Sequence, residues 1–247
     1  LFHNQVFLLS IFSVFLTAIA MFGAISYIPL YSQMALLQSA SNSGLILIPF
    51  VLSLTIASAL SGQIVSRTGK YKLLMIVSAV ITSVGMYMLA RLSITSSELN
   101  LTVGMILLGL GIGGNMPIFI VLVQSSFGHD KLGLVTSSMQ LFRNIGATLG
   151  TALLGALIIN HLEKAIFKIS LHDIGLLQVT LTDLPNIFAE LQQTNVSAES
   201  MLALRESVAQ AINGAFLLCT FFCVMVVITV LFLPSIRLRK TNVTISE

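Results

Sequence analysis

Long apolar runs separated by short polar connections dominate this sequence. Spanning a bilayer takes about 20 apolar residues, because a helix rises about 1.5 Å per residue and the hydrocarbon core is about 30 Å thick. The runs that meet this length cover about residues 6–31, 45–64, 73–90, 101–123, 134–159 and 212–233. They are continuous rather than alternating with a period of two, which excludes a transmembrane barrel. The pattern therefore predicts an all-α integral membrane protein with six spanning helices.

The connections between the runs differ in positive charge, and this difference predicts an orientation. Seven of the twelve Lys and Arg residues fall on one side, in 67–72, at Lys131 and in 237–240, against four on the other side. Short cytoplasmic loops are the ones enriched in Lys and Arg. We therefore expect both termini of the segment to be cytoplasmic. The chain opens with neither Met nor a signal-peptide pattern, so we expect it to begin inside a longer protein.

One extended polar segment, about residues 160–211, interrupts the pattern. Within it Met201, Leu204 and Val208 recur at spacings of three and four, and Ser197 is a suitable N-cap. We expect a long extracytoplasmic loop that carries an amphipathic helix on the membrane surface.

Composition limits the classes of function. Hydrophobic residues make up 56% of the chain and charged residues 9%, whereas soluble domains have roughly 25% charged residues. The net charge of +3 is small and the basic residues lie in short clusters, which disfavours nucleic acid binding. All nine acids fall outside the apolar runs, and no His or Cys cluster has metal-ligand spacing. We predict that the chain is not an enzyme and needs neither cofactor nor metal.

Arg143 is the most informative single residue. It lies about nine residues into the fifth run, roughly 14 Å deep at helical rise. A charge at that depth must face protein or water. It is either a cavity cation that meets substrate or an acid from outside this chain, or a structural arginine that bonds backbone carbonyls or reaches the cytoplasmic edge.

Glycines are concentrated in the fourth and fifth runs at helical spacing. Gly109 and Gly113 are four apart, as are Gly146 and Gly150. This spacing lets two helix backbones approach closely. The pairs indicate tight packing, which also suits helices that slide during transport.

Polar and proline residues interrupt the same region. Pro29, Pro49 and Pro117 are expected to kink their helices. The tripeptide 115–117 is a candidate helix break, with the Asn115 side chain available to the interior.

The connection 62–72 is short, basic and rich in glycine. Gly62 and Gly69 permit a tight reversal, and Arg67 and Lys70 can pair with acids or helix C-termini in one conformation only. The alternative is a topology signal without a gating role.

That connection resembles the second copy of the G-x-x-x-D-R-x-G-R-[KR] motif of the major facilitator superfamily, with Ser66 at the position of the acid. Three further stretches are similar to the fourteen-span drug:proton antiporter branch, of the EmrB/QacA type. They are 27–49, with its Pro29 and Pro49, the glycine-rich 109–117, and 142–152, which fits R-x-x-G-x-x-x-G-x-A. The four stretches come in the family's order and cover nearly the whole chain.

The resemblance implies the C-terminal half of a major facilitator fold, a six-helix bundle over residues 1–247. Its partners would be the lipid bilayer, a small-molecule substrate with protons, and the N-terminal half of the same transporter, which would carry the proton-binding acids. Its location would be a bacterial inner membrane. The implied function is proton-coupled efflux of amphipathic, often cationic drugs.

Two alternatives stay open. The chain could carry a different small molecule on the same fold, or be a non-transporting truncated membrane subunit. The residues expected to face the substrate cavity, or in the last two cases its outer mouth, are Arg143, Gln140, Asn144, Asn115, Tyr31 and Gln33.

Overall fold

The fold is helical throughout the part of the chain that the computed structural model describes, residues 1, 3–69, 71–168 and 198–234. A short 3-10 turn, His129–Lys131, precedes α6. The α-helices are α1 (Gln5–Met34), α2 (Ala40–Leu45), α3 (Leu47–Thr68), α4 (Lys72–Ala90), α5 (Glu98–Ser125), α6 (Leu132–Lys168) and α7 (Ala198–Phe232).

Local capping explains where several helices begin and end. The Asn4 side chain accepts hydrogen bonds from the backbone N–H groups of Val6 (2.9 Å) and Phe7 (3.3 Å) at the start of α1. Ser97 caps α5 in the same way. Gly69 ends α3 with φ of 68°, a left-handed conformation that glycine adopts without a Cβ penalty.

Six helical segments are long and apolar enough to cross a membrane, which confirms the predicted fold class. They are Gln5–Met34, Ser43–Thr68, Lys72–Ala90, Glu98–Ser125, Leu132–Leu162 and Leu202–Phe232. The second of them joins α2 to α3 across a single turn residue, Ile46.

The packing order of the helices leaves two of them uncovered. Helix α5 lies between α3 and α4, α4 packs on α7, and α7 with α6 packs on α1. In the most apolar window of each helix, the share of residues buried inside the bundle is 67% for α1 and 61% for α5, against 44% for α4, 39% for α7, 33% for α6 and 22% for α3, so α3 and α6 are the least covered. The bundle therefore has enclosed helices, α1 and α5, and an open surface on α3 and α6.

The two ends of the bundle are distinct. The connections after α3 and α5 lie at one end, called here the basic end, where the Tyr71 hydroxyl donates to the Pro234 carbonyl at 3.0 Å. At the opposite end the Tyr31 hydroxyl donates to the Ser93 carbonyl at 2.9 Å, and Arg205 donates to the Ala35 carbonyl.

The predicted loop 160–211 is too long at both of its ends. Helix α6 continues to Lys168, and α7 begins at Ala198, so only residues 169–197 of that loop remain, and these lie outside the described residues.

The predicted surface helix is also wrong. Leu204 and Val208 are buried in the bundle core, and the Nη2 of Arg205 donates to the carbonyl of Ala35, the residue after α1, at 2.6 Å. The segment is thus the first part of the spanning helix α7. Apolar residues at spacings of three and four look the same in a surface helix and in a bundle helix, so the pattern could not separate them.

The expected break at 115–117 is absent, because α5 runs through it. Pro117 lacks an N–H and frees the Gly113 carbonyl four residues earlier. The Ser61 hydroxyl of α3 approaches this carbonyl at 3.5 Å, within a buried contact. A neighbouring helix thus provides a polar group where proline removes one, which is how membrane helices tolerate proline.

Candidate substrate path on the open surface

A stripe of polar side chains runs along the uncovered surface of α6. Ser137, Gln140, Asn144 and Thr148 are exposed and spaced by three or four residues, so they lie on one side of the helix. The two hydroxyls bond back to carbonyls of α6 itself, Leu134 for Ser137 and Asn144 for Thr148. The amides of Gln140 and Asn144 make no hydrogen bond to other described residues. These four residues form what we call the polar stripe.

The exposed surfaces of α4 and α7 differ sharply from the polar stripe. On α4 the exposed side chains are Leu73, Val77, Val80, Val84 and Tyr87, and on α7 from residue 217 onward they are Leu217, Phe221, Val224, Ile228, Leu231 and Phe232, whereas Glu206 and Gln210 are exposed nearer the start of α7. Lipid tails accept such side chains, whereas an amide without a partner in lipid costs several kcal/mol. Helices α4 and α7 therefore suit lipid, and the polar stripe requires water or protein.

Arg143 lies at the edge of the polar stripe. Its side chain is partly buried, and its Nε atom is inaccessible to solvent without a hydrogen-bond partner among the described residues. This geometry gives no support to the alternative of an arginine that bonds backbone carbonyls through Nε.

The two glycine pairs lie where helix backbones come together. A Cβ on Gly146 would be 2.6 Å from the Phe15 carbonyl oxygen, and one on Gly150 would be 2.7 Å from the Ile19 Cα, both on α1. These distances are below those that real Cβ atoms show, so α6 can pack this closely only with glycine.

The other pair fixes α5 against α3. A Cβ on Gly109 would be 2.5 Å from the Phe50 carbonyl oxygen, and one on Gly113 would be 2.9 Å from the Leu54 Cα. Both pairs thus join an enclosed helix to one of the two uncovered helices.

Asn115 does not lie on the open surface. Only 2% of the residue is exposed, and its amide bridges α5 to α4. In the orientation that satisfies both groups, the Nδ2 donates to the Met75 carbonyl (3.0 Å) and the Oδ1 accepts from the Ala79 N–H (3.1 Å). A single sequence does not show which neighbour a polar residue meets, and a role of Asn115 in the substrate cavity stays a prediction.

Tyr31 and Gln33 are also engaged within the bundle. Tyr31 is fully buried with its hydroxyl on Ser93, and Gln33 donates from its Nε2 to the Ser43 hydroxyl at 2.8 Å. Tyr31 is 16 residues beyond Phe15, about 24 Å along α1, whereas Phe15 contacts Gly146 near Arg143. The structure thus brings Gln140, Arg143 and Asn144 together, and leaves Tyr31 and Gln33 at the opposite end.

The basic connection after α3 is partly described. Gly62 lies inside α3 with open space around its Cα, and Arg67 is exposed in the last turn. Gly69 ends the helix, and Lys70 lies outside the described residues. A gating role for these residues remains a prediction.

Two groups of polar residues were not predicted from the sequence. Ser137 and Thr148 extend the polar stripe, and the spacing 137, 140, 144, 148 was the signal that could have revealed them. At the opposite end Gln38 accepts from the Ser32 hydroxyl (2.5 Å) and donates to Glu98, beside a cavity of about 270 Å³ between α2, α3 and α5. No sequence signal indicated this second group.

Comparison with known proteins places this architecture in a family. The sequence pattern of the Major Facilitator Superfamily matches residues 1–151. An uncharacterized MFS-type transporter of Mycobacterium tuberculosis is 30% identical over 244 residues, which cover 99% of this chain and 34% of that protein. Nothing in the family or in these relatives points to catalytic activity.

Two relatives from Bacillus subtilis carry names that describe drug transport or resistance. The multidrug transporter protein MdtP is 40% identical over 156 residues, 63% of this chain and 29% of MdtP. Multidrug resistance protein 3 is 24% identical over 225 residues, 87% of this chain and 43% of that protein. The chain thus spans about a third of the length of the Mycobacterium relative and less than half the length of either Bacillus relative. With a family pattern over more than half its length and an all-helical membrane bundle, the chain belongs to the major facilitator superfamily.

Proposed function

We propose that this chain is the C-terminal six-helix bundle of a proton-coupled carrier that exports amphipathic, often cationic drugs. The observation that carries the proposal is the polar stripe of α6. It lies exposed beside Arg143, whereas α4, and α7 from residue 217 onward, expose mainly apolar side chains. The names of the Bacillus relatives support drugs as the cargo. The resemblance of 142–152 and 109–117 supports the fourteen-span antiporter branch.

The open surface on α3 and α6 is where the second half of the carrier is proposed to pack. This chain covers only 34% of the Mycobacterium relative and 29% of MdtP. A full-length protein of that size would contain further spans. In carriers of this kind two bundles rock around a central site, which opens to each side in turn. The polar stripe would line that site, and the apolar residues beside it, such as Ile145 and Leu149, would contact the other half or lipid.

Tight glycine contacts support a rigid-body motion of this bundle. Gly146 and Gly150 hold α6 to α1, and Gly109 and Gly113 hold α3 to α5, so the two uncovered helices move with the enclosed ones. Packed interfaces are bistable rather than continuously deformable, which favours rocking of the whole unit. Proton binding is assigned to acids outside this chain, since the acids within the described spanning segments, Glu98 and Glu206, lie among the first five residues of their segments and not at mid-membrane depth.

The proposed setting is a bacterial inner membrane with both termini of the segment in the cytoplasm. The basic end carries Arg67 and Lys131, and the positive-inside rule assigns such an end to the cytoplasm.

Efflux of a cationic dye tests the proposal. The full-length protein that contains this chain is expressed in a bacterial host without its own drug pumps, and the rate of ethidium efflux is measured. Replacement of both stripe amides, Gln140→Leu with Asn144→Leu, should reduce efflux at least about tenfold at equal membrane level, because water and substrate lose their polar contacts. Tyr87→Leu, a similar loss of polarity on the lipid-compatible surface of α4, should change efflux less than about twofold.

The alternatives give different results. Wild-type protein that exports no dye but confers a gradient-dependent flux of another solute would be a carrier of different cargo. Wild-type protein without any flux would be the non-transporting subunit. An unchanged rate in the double variant would remove the polar stripe from the substrate path.

A further inference from the structure

Arg143 combines two features that conflict in a membrane helix, a charged guanidinium and a buried Nε atom without a hydrogen-bond partner among the described residues. It is eleven residues into α6, about 16 Å along the axis from the first residue at the basic end. Ionisable groups at such depth are rare, and those that persist pair with an opposite charge or face water in a functional cavity.

The acids of the described part of the chain are not placed to pair with Arg143. Asp130 precedes α6 at the basic end, in the 3-10 turn 13 residues back. Glu98 opens α5 at the opposite end, where it accepts from Gln38. Glu199 and Glu206 lie within the first nine residues of α7, near the contact of Arg205 with the Ala35 carbonyl at that same end. Glu163 is 20 residues further along α6, about 30 Å away by helical rise.

We infer that Arg143 is one half of a carboxylate site, whose anion comes from outside the described residues. The guanidinium presents its N–H donors as a planar fork that matches a carboxylate in two parallel hydrogen bonds. Gln140 and Asn144 stand one turn or less away on the same helix, and each adds an amide with free donors. Together the three side chains form a set of hydrogen-bond donors with net positive charge at the rim of the open surface.

The carboxylate has two possible sources. An Asp or Glu side chain of the full-length protein beyond the described residues would make Arg143 part of an ion pair within the protein. A carboxylate on a zwitterionic or acidic amphipathic drug would make Arg143 a specificity determinant, and only this second source rests on the proposed transport function.

Thermal unfolding of the purified full-length protein in detergent tests the site without any transport measurement. The unfolding midpoint of wild type, Arg143→Gln and Arg143→Lys is measured under three conditions. These are no ligand, benzoate as a carboxylate probe, and benzamide as its uncharged analogue. Arg91→Gln is the matched control, since Arg91 is an exposed cation over the Tyr87 ring at the end of α4.

A carboxylate within the protein predicts that Arg143→Gln lowers the unfolding midpoint by about 5 °C or more without ligand, because a buried anion loses its partner. Arg143→Lys keeps the charge but not the fork, and should recover part of that shift. If Arg143→Gln yields no folded protein, Arg143→Lys takes its place. A midpoint of Arg143→Lys below that of wild type without ligand then supports a carboxylate within the protein.

A carboxylate on the transported molecule predicts equal midpoints without ligand. Benzoate, but not benzamide, should then stabilise wild type, and Arg143→Gln should weaken the apparent affinity for benzoate about tenfold. The inference is overturned if Arg143→Gln is as stable as wild type or more stable, and benzoate acts equally on both. Failure of dye efflux would contradict the proposed function alone, since these midpoints do not depend on transport.

Discussion

Three polar residues of the membrane helices differ in whether they have a partner, and this difference separates structural from functional polarity. Asn115 is buried with both ends of its amide bonded to α4. Asn144 is exposed on α6 with an amide that bonds no other described residue, and Arg143 has a buried Nε without a partner. A satisfied buried amide stabilises packing, whereas an unsatisfied one on an open surface requires water, substrate or another protein segment.

The same substitution should therefore change stability at Asn115 and transport at Asn144. Asn115→Leu should lower the free energy of unfolding by about 1–2 kcal/mol, the scale of polar contacts between membrane helices. Efflux per folded copy should stay near wild type. Asn144→Leu should leave the free energy of unfolding within about 0.5 kcal/mol of wild type and reduce efflux.

Denaturant unfolding and ethidium efflux of the full-length protein measure both effects. If Asn115→Leu instead abolished efflux and left stability unchanged, Asn115 would line the substrate cavity as the sequence alone predicted.

At the scale of elements, glycines determine which helices move together. Gly109 and Gly113 bring the backbones of α5 and α3 into contact, and Gly146 and Gly150 do the same for α6 and α1. Gly214 is different, because nothing lies within 4 Å of a Cβ built on it in α7. The same residue type is thus required at one position and replaceable at another.

This difference predicts opposite signs for two glycine-to-alanine substitutions. Gly113→Ala should destabilise the protein by about 1–3 kcal/mol, because the methyl group would overlap the Leu54 backbone. Gly214→Ala should stabilise it by about 0.5–1 kcal/mol, because alanine loses less conformational freedom in a helix. Denaturant unfolding of the two variants checks the pair, and equal effects would show that the close approach of α3 and α5 is not maintained in the membrane.

Most of the elements could be predicted from the sequence, because lipid imposes about 20 apolar residues on every span. Helix ends were harder to predict, since α6 and α7 continue beyond the apolar runs into the segment 160–211. The orientation of single side chains could not be predicted. Tyr31 and Asn115 bond to backbone groups of other helices, and a lone sequence does not show which helix will be the neighbour.

At the scale of the whole molecule, the described bundle is asymmetric, with the polar stripe on an open surface that also exposes large apolar side chains of α3 and α6. Helices α4 and α7 present apolar side chains outward, and α6 presents the polar stripe and Arg143. On the proposed function this surface faces a second bundle, since carriers of this kind place their site between two bundles. The central claim is that the polar stripe lines a water-filled substrate path.

Thiol labelling of the full-length protein in cells tests this claim most directly. Cys219 and Cys223 are both buried and are first replaced by Ala, and single cysteines are then introduced as Asn144→Cys or, as the control on the apolar surface of α7, Ile228→Cys. A thiol reacts with a water-soluble maleimide only where it can ionise. We predict that Asn144→Cys is labelled at least about tenfold faster than Ile228→Cys and that ethidium slows its labelling. Equal rates at the two positions, or a rate at Asn144→Cys that ethidium does not change, would contradict the account.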